Sequence, residues 1–85
     1  MTNYPLLDLE HNEPLIKDRL LSVYDVVSVI GRQDLERQYD RWHLEPAEIT
    51  QALRYYLDQA GKEVQRLDHI DASEVSRTIE RYERV

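Results

Sequence analysis

The 85-residue chain has no cysteine, which excludes disulfide cross-links and is compatible with a reducing cytosol. Its three histidines, His11, His43 and His69, form no short pair with one another, so the ligand spacing of a metal site is missing. With only Gly31 and Gly61, no phosphate-cradling glycine loop can be built. No apolar run approaches the roughly 18 residues of a membrane span, and the longest candidate, Val23 to Ile30, is broken by Asp25 and Ser28. The N-terminus carries no charged stretch followed by an apolar one of the kind that directs export. These absences predict a cytoplasmic protein with no membrane contact, no metal and no cofactor.

Positive charge is also scarce. Eleven Lys and Arg stand against 17 Asp and Glu, for a formal charge of -6, so the electrostatic footprint of a nucleic-acid binder is missing at whole-chain level. Any phosphate contact would need a local basic face. The acid pairs Asp8 with Glu10 and Asp68 with Asp71 have no nucleophile or second group beside them in sequence, and they read as solvated charge. No catalytic residue is assigned, and an enzyme is not expected.

What the chain does contain is helical periodicity. Leu35, Tyr39 and Trp42 fall at i, i+4 and i+7, and Ile49, Leu53, Tyr56 and Ala60 repeat the pattern after a turn at Leu44-Glu45-Pro46. Proline at a first helical position loses no hydrogen bond, while the residue before it is turned away from helix. A short helix from Leu35 to about Trp42 and a longer one from Pro46 to about Ala60 are predicted, their stripes facing each other. An earlier helix is expected from Ser22, whose spacing to Asp25 resembles a capping box, through Val23, Val26, Val27 and Ile30. Gly31 is placed to end it and Asp34 to cap the next. Gly61 ends or weakens the long helix, and Val64 and Leu67 predict an interrupted continuation.

Two flanking regions complete the reading. Leu7 and Leu9 alternate with Asp8 and Glu10, and Leu15 to Leu21 reads as a second short strand bent near Lys17-Asp18, so two short strands are predicted. At the other end Asp71 or Ser73 caps a helix whose stripe is Val75, Ile79 and Tyr82, opposite Arg77, Glu80, Arg81, Glu83 and Arg84. So narrow a stripe must dock on the domain, a second subunit or a partner, and these three residues are the candidate partner contacts. The fold class is therefore mainly α: a three-helix homeodomain-like helix-turn-helix core over residues 22–64, a strand region over 1–21, and an interaction helix over 65–85. A chain of this size buries only roughly 60–65% of its unfolded surface, so a homodimer is expected.

As a helix-turn-helix, the long helix would present its early positions, Ala47, Glu48, Thr50, Gln51 and Arg54, to bases. Gln51 and Arg54 suit adenine and guanine edges, and Arg37 and Arg41 suit phosphate. Glu45 and Glu48 oppose such contact. Tyr55 is expected at a rim or dimer contact, and Trp42 between the two helices.

The runs Pro14-Leu15-Ile16-Lys17, Ser22-Val23-Tyr24-Asp25-Val26-Val27, Leu44-Glu45-Pro46-Ala47-Glu48-Ile49 and Ala52-Leu53-Arg54-Tyr55-Tyr56-Leu57 resemble a family of small bacterial proteins. It is the domain-of-unknown-function family 433, a VapB-type antitoxin-like group, and the likeness spans about Pro14 to Val64. The resemblance implies a short strand region leading into a homeodomain-like helix-turn-helix, an operator DNA, and a PIN-type nuclease toxin as partner. The chain departs from the family at the turn after the second strand, where Asp18-Arg19-Leu20 replaces Gly-Thr-Arg. Two functions from different classes follow: an antitoxin-like DNA-binding regulator, and a protein-interaction or assembly module with no nucleic-acid role.

Overall fold

Local signals place most of the elements in the computed structural model, which describes residues 4–84. The outer ends of the first and last predicted segments, residues 1–3 and 85, lie outside the described residues. Strands β1 (Leu7–Asp8) and β2 (Leu15–Ile16) form an antiparallel pair with Leu7 opposite Ile16 and Asp8 opposite Leu15. The chain then doubles back. Ile16 donates its N–H to the Leu21 carbonyl at 2.9 Å and Val23 donates to Pro14 at 2.8 Å, so an extended strip at 21–23 flanks β2 on its other side. The reversal runs through Asp18 at φ 64, a left-handed conformation that glycine adopts freely and aspartate tolerates.

Helix α1 (Val23–Ser28) starts as the sequence predicts. Ser22 Oγ accepts from the Asp25 N–H at 3.1 Å, and Asp25 Oδ2 accepts from the Ser22 N–H at 3.0 Å, a reciprocal cap that satisfies two otherwise orphaned donors. Val23, Val26 and Val27 are fully buried, which overrides the strand preference of their β-branched side chains. The chain leaves this helix through Gly31 at φ 89. Helix α2 (Leu35–Arg41) follows, but Asp34 makes no side-chain cap. Its carboxylate is instead held by the Arg32 guanidinium at 2.8 and 2.9 Å, which also keeps its pKa below the usual value.

The turn from α2 to helix α3 (Pro46–Gln59) is a Schellman motif. Leu44 donates to the Tyr39 carbonyl at 3.2 Å and His43 donates to Asp40 at 3.0 Å, with His43 at φ 57. Histidine thus occupies the left-handed position that glycine usually fills. Helix α3 ends at Gln59. The predicted continuation toward Leu67 does not form, because Gly61 at φ 83 donates to the Val64 carbonyl at 2.9 Å and Val64 donates back to Gln59 at 3.1 Å, folding the chain into a tight turn. Helix α4 (Ala72–Glu83) begins where Asp71 accepts from the Ser73 N–H at 2.9 Å.

Among the described residues there are four helices, covering about half of the chain, and one small sheet. Helix α3 is the axis of the molecule: it packs most extensively against α4, next against α1, and its early turns touch β1. The stripes of α2 and α3 do enter one core, through Leu35, Tyr39, Ile49, Leu53 and Tyr56, but α3 is covered chiefly by α4 and α1. A direct pairing of the α2 and α3 stripes is thereby corrected. The reason is length, since α2 has two turns and cannot cover four.

Candidate functional site

Helix α3 holds the residues that would read DNA, and its exposed surface is narrow. Ile49, Ala52, Leu53, Tyr55 and Tyr56 are buried, while Ala47, Arg54 and Asp58 are exposed. Several polar groups on the outward side have partners within the chain. Gln51 Oε1 accepts from the Leu6 N–H at 2.9 Å. Arg54 pairs with Glu83 on α4, and the Thr50 hydroxyl bonds its own helix at the Ala47 carbonyl, 3.1 Å away.

The N-terminal segment lies along this side of α3. Gln51, Tyr55 and Asp58 are spaced i, i+4 and i+7, so they share one face. Leu6 bonds the first. The Tyr4 ring meets Tyr55 edge-on, with centroids 5.1 Å apart and planes at 82°, and the Tyr4 hydroxyl donates to Asp58. Burial, reinforced by Asp58, pushes the Tyr4 pKa up to about 12. Tyr55, expected at a rim or dimer contact, is buried beneath this segment. Nothing in the helical period of α3 shows this cover, because it comes from 45 and more residues upstream.

Glu48 was expected to repel a nucleic acid, but it is engaged. Arg19 Nε and Nη2 donate to its two carboxylate oxygens at 3.0 and 3.1 Å, and a third, longer bond of 3.4 Å runs from Arg19 Nη1 to the Trp42 carbonyl. Glu48 also accepts from the Glu45 N–H at 2.8 Å, closing the first turn of α3. Burial alone would raise the Glu48 pKa; the paired guanidinium and the N–H outweigh it and hold it below the usual carboxylate range. The sequence carries no local signal for Arg19, whose partner lies 29 residues further along the chain.

Arg37 and Arg41 are exposed one turn apart on α2, as a phosphate contact requires. The structure does not leave the α4 stripe outward. Val75 and Ile79 are buried in the domain core, and Tyr82 is half-buried with its ring 5.6 Å from that of Tyr39. Their use as contacts for a separate partner is corrected: in this arrangement they hold α4 to its own domain, helped by Arg81 with Glu36 and Glu83 with Arg54. Trp42 is half-buried at the end of α2, against Tyr39 at 6.5 Å.

The histidines stay apart. His11 lies 3.1 Å from Asp8 on the hairpin, His43 supplies backbone geometry, and His69 is exposed. Among the described residues no three His, Asp or Glu side chains converge on one point. Among the described residues no helix is long and apolar enough to cross a membrane. No protein-family model matches the chain, and neither curated proteins nor solved structures yield a match.

Proposed function

We propose that this protein is a non-catalytic, cytoplasmic, antitoxin-like regulator that acts as a dimer and blocks a PIN-type nuclease by docking on it. The observation that carries this reading is the charge of -6. A nuclease must draw in a polyphosphate, so its substrate cleft is cationic, and an acidic protein is complementary to that cleft where it would be repelled by nucleic acid. The outward side of α3 fits the same reading, since Gln51 and Arg54 are committed to Leu6 and Glu83.

Operator binding by a homeodomain-like helix-turn-helix is the second reading. It is favoured by the left-handed turn at His43, the Pro46 start of α3 and the exposed Arg37 and Arg41. In this reading Arg54 exchanges its exposed pairing with Glu83 for DNA, and phosphate contacts by Arg37 and Arg41 make binding salt-dependent.

The test is to mix the protein with the product of the neighbouring gene and measure nuclease activity, then assay its own upstream DNA with and without that product. Stoichiometric inhibition that weakens with salt supports the proposal. A neighbour that is no nuclease, or one the protein neither binds nor inhibits, overturns it. A salt-sensitive DNA shift that Arg54→Ala weakens supports the second reading. No inhibition and no shift in any condition leave an assembly module without a nucleic-acid role.

A further inference from the structure

We propose that the hollow between the end of α3 and the start of α4 binds a small zwitterion with an apolar body, a free α-amino acid bearing an aliphatic side chain. The hollow holds about 400 Å³, and its lining includes Tyr56, Leu57, Ala60, Arg66, Ile70 and Asp71. That volume falls within the range of small-molecule sites, roughly 300–1,000 Å³, which pair apolar walls with a few placed polar groups. Leu57, Ala60 and Ile70 are half-buried and supply the apolar wall.

Three polar groups complete it. Tyr56 is 3% exposed. Its hydroxyl oxygen accepts the Leu67 N–H at 2.9 Å, and its own proton has no acceptor among the described residues, although a hydroxyl can donate as well as accept. Arg66 Nη2 lies 3.5 Å from the place a Cβ would occupy on Gly61, so the arm rests back against the turn that ends α3. Its guanidinium has no hydrogen bond or ion pair among the described residues. Asp71 Oδ1 accepts from the Ser73 N–H at 2.9 Å and from the Ser73 hydroxyl at 3.0 Å, leaving Oδ2 without a hydrogen bond. The same bonds hold the Asp71 carboxyl below its usual range, so it is ionised at neutral pH.

The two opposite charges select the ligand. A monocarboxylate is opposed by Asp71, an amine is opposed by Arg66, and a neutral hydrocarbon would cover both charges without pairing either. An amino acid matches all three walls at once. Its carboxylate meets the Arg66 guanidinium, whose planar fork suits a carboxylate, and takes the Tyr56 proton; its ammonium meets Asp71 Oδ2; its side chain lies on Leu57, Ala60 and Ile70. Bound this way, the ligand bridges α3 and α4 across the irregular segment 60–71. The site is separate from the α3 surface and is measured without nuclease or DNA, so it stands or falls apart from the antitoxin-like reading.

Titration of the full chain with L-leucine, followed through backbone amide resonances, tests it. The expected result is saturable movement of the Ala60, Ile70 and Ala72 amides with a midpoint on the order of 1 mM. L-leucine amide, which keeps only the ammonium, and isocaproate, which keeps only the carboxylate, should each bind about 10-fold more weakly, as should free glycine, which has both charges and no apolar body. Arg66→Gln and Asp71→Asn should each weaken L-leucine about 10-fold with circular dichroism unchanged, because asparagine caps a helix as well as aspartate does. Amides that stay still at roughly ten times the expected midpoint overturn the proposal. So do midpoints that L-leucine amide or isocaproate reproduce, and binding that persists undiminished in either variant.

Discussion

Two adjoining regions of this chain are held by different chemistry. From Ser22 to Gln59 the three helices are fastened by buried aliphatic side chains: Val23, Val26, Val27, Ala52 and Leu53 are fully enclosed. From Ala60 to Asp71 there is no helix or strand, yet the segment is not loose. Val64 is buried, and the backbone N–H groups of Gln65 and Leu67 donate to the hydroxyls of Tyr24 and Tyr56, each at 2.9 Å. The chain has six tyrosines and no phenylalanine. An aromatic ring with a polar tip can fill the core and still satisfy backbone groups that lack a helical partner. Tyr39 does this within the helical region, donating to the Val26 carbonyl at 2.6 Å.

Substitutions should separate the two modes. Leu53→Ala, in the helical region, is expected to cost about 2–5 kcal/mol through lost burial and the cavity left behind, measured by urea unfolding. Tyr39→Phe removes the donor to a buried carbonyl and is expected to cost about 1–3 kcal/mol.

The same residue carries a pH signature. Burial holds the Tyr39 pKa above the ordinary range, so the native state keeps a proton that the unfolded chain releases. Its stabilisation is present below the unfolded value near pH 10 and is lost as pH rises toward the folded value, at about 1.4 kcal/mol per pH unit. Stability measured from pH 9 upward should fall, and Tyr39→Phe should remove this share of the slope. Tyr4, raised to about 12, contributes in the same direction.

Tyr24→Phe and Tyr56→Phe act on the irregular segment. Each is expected to cost about 0.5–1.5 kcal/mol, with hydrogen exchange faster at Gln65 and Leu67 and little changed at Val26 or Leu53. Uniform acceleration would mean that the two regions are one cooperative unit. The smallest expected effect is a gain: His43→Gly relieves a left-handed side chain and should stabilise the protein by up to about 1 kcal/mol. Its equilibrium measurement checks whether the α2–α3 turn carries strain.

Much of the helical region was legible because its signals are local. The Ser22–Asp25 cap and the proline that begins α3 each act within a few residues, while Gly31 takes its left-handed turn two residues beyond the Val29 cap of α1. The α4 stripe was legible too, but not the surface it covers. Of the candidate site, Arg37 and Arg41 are exposed, while Gln51, Arg54 and Glu48 met partners from distant parts of the chain. Arg19 lies 29 residues from Glu48, and Glu83 lies 29 from Arg54.

Periodicity reports which side of a helix avoids water, and capping residues report where it starts; both follow from geometry within one or two turns. The sequence by itself therefore determined the helices, their buried faces and the acidic balance. Only the tertiary structure decided that α3 is the axis, that the N-terminal segment and α4 occupy its outward side, and that Leu20 is left exposed. Those outcomes depend on which distant surfaces meet, and local spacing carries no information about that choice.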